Sequence, residues 1–111
     1  MTSSLNPRRY AIVALTVITA LIHLALSFNP FNPLFILNGV GYLVLIAALY
    51  FVPQLAGQRA LIRWVLMGYT AVTFVLYFVF NWPDIWGPAG LIDKGVELIL
   101  MILLWLDRKE P

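Results

Sequence analysis

The chain has 111 residues, enough for one domain, and 62% of them are hydrophobic and 11% charged, against about 45–50% and about 25% in ordinary soluble domains. Such a chain cannot cover itself with polar surface in water, and a net charge of +2 is too small to point to nucleic acid. It has no cysteine, which excludes disulfides, iron–sulfur clusters and thiolate chemistry.

Residues 1–9 read as a polar leader ending in Arg8 and Arg9, after which Tyr10 to Phe28 is uncharged and close to the ~20 residues that cross a hydrocarbon core. A cleaved signal peptide is the competing reading. The run is long for one and is followed by Asn29-Pro30-Phe31-Asn32-Pro33 instead of a small-x-small cleavage site, so a permanent span is expected. Asn32 suits a helix N-cap and Pro33 the first helical position, which opens a second uncharged span, Pro33 to Phe51. Residues 52–59 form a short connection, and the third span runs from Ala60 to Phe80. Arg63, within a turn of its start, is expected to snorkel to the headgroups.

Residues 81–89 are the longest connection, with Trp82 and Trp86 suited, like Trp64 and Trp105, to an interfacial belt. The fourth span, Gly90 to Leu106, holds Asp93, Lys94 and Glu97 near its start. A β-barrel is excluded because the runs are continuously apolar instead of alternating. The expected architecture is therefore all-α: one integral membrane domain over 1–111, a four-helix transmembrane bundle with spans near 10–28, 33–51, 60–80 and 90–106. Arg8, Arg9, Arg59, Arg63, Arg108 and Lys109 lie on one side and Lys94 alone on the other, so both termini are expected to be cytoplasmic, in the plasma (inner) membrane.

At about 1.5 Å per residue, His23 and Asn38 fall about 7–8 Å below the outer boundary, and Thr73 and Tyr77, like Glu97 and Asp93, about 10 and 5 Å below it. Four helices thus bring polar groups to one layer, whereas the inner half offers little beyond Thr16 and Thr70. The stripes Thr16, Thr19 or Ala20, His23, Ser27, then Asn38, Gly41, Tyr42, then Thr70, Thr73, Tyr77 follow helical spacing, and Gly39, Gly41 and Gly68 permit close helix approach.

His23, the single histidine, has two readings: an axial ligand for haem or chlorophyll, or a proton relay, against a structural hydrogen bond to Asn38, Tyr77 or Glu97. Glu97 is the sharper candidate for a proton- or cation-coupled site with Asp93 as a second acid, against a plain ion pair with Lys94. Asp93 also suits a helix-capping role. A metal site from His23, Asp93 and Glu97 has acceptable ligand types but needs convergence across helices, and none is expected. No nucleophile elbow, phosphate loop, HExxH or CxxC motif is present, and no catalysis is expected.

Length and span count resemble the small multidrug resistance transporters, dimers of four-span chains whose working glutamate lies in the first span, where this chain has no acid. His23, Leu37-Asn38-Gly39-Val40-Gly41-Tyr42-Leu43 and Asp93-Lys94-x-x-Glu97 together resemble a group of small uncharacterised four-span prokaryotic membrane proteins, which implies a fold and no activity. The expected function is a non-catalytic membrane protein whose outer polar cluster (His23, Asn38, Thr73, Tyr77, Asp93, Lys94, Glu97) binds or conducts a proton or small cation. The alternative is an accessory subunit of a larger redox or photosynthetic membrane complex, with His23 ligating a haem or chlorophyll. The bilayer and a homo-oligomer or larger complex are the expected partners, with no nucleic acid.

Overall fold

The computed structural model describes residues 6–28 and 32–109 and holds, among them, four α-helices and no strand. These are α1 (Pro7–Leu26), α2 (Pro33–Tyr50), α3 (Arg59–Asn81) and α4 (Pro88–Asp107), with a 3-10 turn, Pro53–Gln58, between α2 and α3. The leader lies largely outside the described residues, as do Asn29, Pro30 and Phe31.

Local chemistry sets the helix starts. Asn6 accepts from the Arg9 amide at 2.9 Å and Pro7 follows it, so α1 begins before Tyr10 and takes Arg8 and Arg9 into its first turn. Asn32 caps α2 through the Leu34 and Phe35 amides at 3.0 and 3.3 Å, with Pro33 at the first position, as the sequence predicts. Pro88 starts α4 two residues ahead of the expected Gly90. Most of the expected 52–59 connection is wound into the 3-10 turn, whose last residue leads directly into Arg59 of α3.

α1 packs on α2 and α4, and α3 packs on the same two helices. Arg9 near the start of α1, Tyr50 at the end of α2, Arg63 early in α3 and Asp107 at the end of α4 meet at one end, so successive helices run in opposite directions. The principal dimensions are 44 × 23 × 20 Å, those of a slender bundle.

The distribution of side chains is inverted relative to a water-soluble bundle. Large apolar residues such as Leu37, Val44, Leu61, Val72, Val79 and Ile92 face outward. Thr16, Thr19, His23, Thr70, Asp93, Lys94, Glu97 and Asp107 are buried between helices beside Tyr42, Leu49, Leu66, Leu100 and Leu104. Three segments, Pro7–Leu26, Pro33–Tyr50 and Pro53–Asn81, are long and apolar enough to cross a membrane. At 20 residues α4 is as long as α1 but carries Asp93, Lys94, Glu97 and Asp107, all on its buried side.

Two of the three glycines expected at helix contacts are there. A methyl group on Gly39 would lie 2.9 Å from the Ala20 carbonyl oxygen and 2.7 Å from Leu24 Cγ, and one on Gly41 would strike the Tyr69 hydroxyl. Gly68, by contrast, is exposed with open space beside it and mediates no close approach. Gly39→Ala is expected to cost about 1–3 kcal/mol, because the obstacle is backbone that moves only by separating α1 from α2. Gly68→Ala should be neutral or stabilising by up to about 1 kcal/mol through helix propensity. Thermal unfolding of both variants in detergent, with Gly39→Ala melting no lower than Gly68→Ala, would refute the α1–α2 contact.

Candidate functional site

α4 presents Asp93, Lys94 and Glu97 to the bundle interior, where their exposures are 4%, 5% and 0%. The three- and four-residue spacings place them on one helical face. Across from them α1 supplies Thr19 and His23, and α2 supplies Tyr42. Lys94 Nζ lies 2.5 Å from Glu97 Oε1 and 3.4 Å from Asp93 Oδ2, with the Tyr77 ring centroid 5.0 Å away. Tyr42 donates to Glu97 Oε2 at 2.8 Å. The Thr19 hydroxyl is 2.5 Å from Asp93 Oδ1 and 3.1 Å from Glu97 Oε2, and its one proton serves one carboxylate at a time.

His23 Nδ1 is 2.8 Å from the Thr19 carbonyl oxygen, an atom that only accepts, so Nδ1 carries a hydrogen and donates it. In the neutral ring Nε2 is then a bare acceptor, and it faces Asp93 Oδ2 at 3.7 Å. Two acceptors confront each other across a gap too long for a direct hydrogen bond. The Phe35 and Tyr42 rings pack on the imidazole with centroids at 5.6 and 5.9 Å, which keeps it from turning away.

The expected roles are partly revised. His23 bonds none of Asn38, Tyr77 or Glu97; Nδ1 donates to the Thr19 carbonyl and Nε2 faces Asp93. Asp93 does not cap α4, which starts five residues earlier at Pro88; it is a buried acceptor for Thr19. Asn38 donates to the Thr73 hydroxyl at 2.9 Å, joining α2 to α3 beside the cluster. Tyr77 lends Lys94 its ring face, while its hydroxyl donates to the Ile85 carbonyl at 2.7 Å and pins the α3–α4 connection. Gly90 makes room for that ring, since a methyl group there would strike it.

His23, Asp93 and Glu97 each offer a ligand atom within 4.8 Å of the others, so the convergence left open by the sequence is present. One imidazole and two carboxylates suit a divalent first-row cation, and the Lys94 ammonium lies 2.5 Å from Glu97 Oε1 beside them.

A second polar cluster, unforeseen from the sequence, closes the opposite end. Asp107, fully buried, accepts from Arg9 Nε at 3.0 Å, Arg8 Nε at 3.3 Å, Arg63 Nε at 3.2 Å and the Tyr50 hydroxyl at 2.6 Å. Arg63, expected to snorkel outward, is 3% exposed because Asp107 gives it a charge partner inside the bundle. The expectation that the inner half holds little beyond Thr16 and Thr70 is therefore overturned. Burial of the Asp107 carboxylate is compensated by the guanidiniums of Arg8, Arg9 and Arg63 and by the Tyr50 hydroxyl. Comparing the helix-end register of Arg9, Tyr50, Arg63 and Asp107 would have exposed this network.

The chain matches no protein-family model, and comparison with curated proteins and with solved structures gave no match.

Proposed function

We propose that the protein is a four-span, non-catalytic integral membrane protein, N-in and C-in in the plasma membrane, whose outer cluster binds or conducts a proton or a small cation. The apolar exterior supports the membrane reading, and α4 joins the three apolar helices as a span because its ionisable groups are turned inward and paired. Arg8, Arg9, Arg59, Arg63, Arg108 and Lys109 gather at the end where α1 begins and α4 ends, the end retained in the cytoplasm by the positive-inside rule.

One observation carries the functional reading: His23 Nε2 faces Asp93 Oδ2 at 3.7 Å with both atoms acceptors while the ring is neutral. Asp93 and Glu97 against Lys94 leave one negative charge uncompensated in the buried cluster. One proton on Nε2 turns repulsion between acceptors into an ion pair and neutralises the site, and a small cation held by His23 and the carboxylates does the same. Thr19, able to donate to either acid, and Tyr42 on Glu97 extend the path from Asp93 to Glu97. His23 Nε2 faces Asp93 inside the bundle and the residue is 6% exposed, so the ring meets the polar cluster and not a surface where a haem or chlorophyll could reach it, which disfavours the pigment-subunit alternative.

The test is ion flux in proteoliposomes loaded with a pH-sensitive dye under an imposed proton or sodium gradient. Asp93→Asn and Glu97→Gln should each reduce flux by at least about tenfold, the equivalent of roughly 1.4 kcal/mol. Flux that survives both substitutions intact would remove the proposal.

A further inference from the structure

The opposite end of the molecule carries a second site, independent of the outer cluster though resting on the same membrane-spanning reading. Between the 3-10 turn, the start of α3 and the residues following α4 lies a pocket kept open by Ala56 and Ala60 and walled by Arg59, Arg63, Arg108 and Lys109. Three of these cations are held in place. Arg59 Nε donates to the Leu49 carbonyl at 2.9 Å, Arg63 Nε bonds Asp107 at 3.2 Å, and the Arg108 guanidinium stacks on Trp105 at 3.9 Å. Trp105 is in turn fixed edge-on by Trp64, with centroids at 5.9 Å.

The second observation is an orphan donor. Arg63 is 97% buried, and its Nη2, shielded from solvent, has no hydrogen-bond acceptor among the described residues. A buried charged donor without a partner is costly, and the missing group must be an acceptor, best an anion. Asp107 cannot be that acceptor: its two oxygens already take Arg8, Arg9, Arg63 Nε and Tyr50. Formal charge agrees, with six cations at this end (Arg8, Arg9, Arg59, Arg63, Arg108, Lys109) against Asp107 and, outside the described residues, Glu110.

We infer that this pocket binds a phosphate group carrying net negative charge, supplied by the headgroup of an anionic phospholipid in the cytoplasmic leaflet. Guanidinium forks match phosphate oxygens, and basic pockets at this level of a bundle are where such headgroups sit. The Trp64–Trp105 pair suits the same interfacial depth. Free inorganic phosphate offers the same oxygens and is the other source of this chemistry.

Lipid retention by the full chain, measured by native mass spectrometry after reconstitution with equal phosphatidylglycerol and phosphatidylcholine, tests the inference. The wild type should retain phosphatidylglycerol over phosphatidylcholine by at least about tenfold. Arg108→Gln with Lys109→Gln, which leaves every Asp107 bond intact, should bring that preference to within about twofold. Arg63→Lys keeps the charge but loses the planar fork, so it should also erase the preference if it stays monodisperse. Addition of inorganic phosphate separates the sources. Phosphatidylglycerol retained in its presence supports the headgroup, and displacement by millimolar phosphate assigns the pocket to the free anion and overturns the lipid source. Equal retention of the two lipids by the wild type, or a preference untouched in both variants, would overturn the site itself. Flux through the outer cluster should be unaffected in the Arg108/Lys109 variant, which keeps the two proposals separable.

Discussion

Lys94→Met is expected to destabilise the protein by about 3–5 kcal/mol, the usual consequence of deleting one member of a buried ion pair and leaving its partner charged. Lys94 Nζ is 2.5 Å from Glu97 Oε1 and 3.4 Å from Asp93 Oδ2, and among the described residues no other ammonium or guanidinium reaches either acid. Methionine preserves the packing against the Tyr77 and Phe74 rings, so the loss reports charge and not volume. The double variant Lys94→Met with Glu97→Gln should recover much of that loss, to within about 1–2 kcal/mol of wild type, since Tyr42 and Thr19 can still bond the amide. Unfolding in mixed detergent, analysed as a double-mutant cycle, measures the coupling. A single variant that melts like the wild type would mean that Lys94 reaches the headgroups and is not part of a closed cluster.

The second large effect belongs to Asp107. Asp107→Asn removes the negative charge shared by Arg8, Arg9 and Arg63, two of which are themselves buried, and should cost about 3–5 kcal/mol. Tyr50→Phe, which deletes one donor to the same carboxylate and leaves its charge paired, should cost less, about 1.5–3 kcal/mol. Unfolding in detergent measures both, and an Asp107→Asn variant that melts like the wild type would show that the four helix ends are not tied through this residue.

The two clusters differ in how far the sequence revealed them. Depth along each span brings His23, Asn38, Thr73, Tyr77, Asp93 and Glu97 to one layer, since rise per residue is nearly constant and span ends are marked by Pro and charge. In the folded chain His23, Asp93, Lys94 and Glu97 do meet, and Asn38 and Thr73 pair beside them. Depth alone does not say which atom of a side chain turns where. Tyr77 has the right depth, yet its hydroxyl goes to Ile85 and only its ring faces Lys94. Asp107 with Arg9, Arg63 and Tyr50 escaped for a related reason: they share a helix-end register, but charges at helix ends ordinarily meet water or headgroups, so that register is not read as a closed network.

What the sequence determined by itself is the helical, apolar character of the chain and its punctuation. Asn-Pro caps, uncharged runs and the one-sided placement of Arg and Lys act locally, through backbone geometry and transfer of side chains out of water, and need no partner to be read. Tertiary structure alone decided which polar groups pair. Helix rotation is set by glycine contacts such as Gly39 on Ala20 and by the balance of buried charge. Hydrogen bonds form only when donor and acceptor come within about 3 Å, so a few ångströms of rotation decide whether groups such as His23 and Asp93, 3.7 Å apart here, face each other at all.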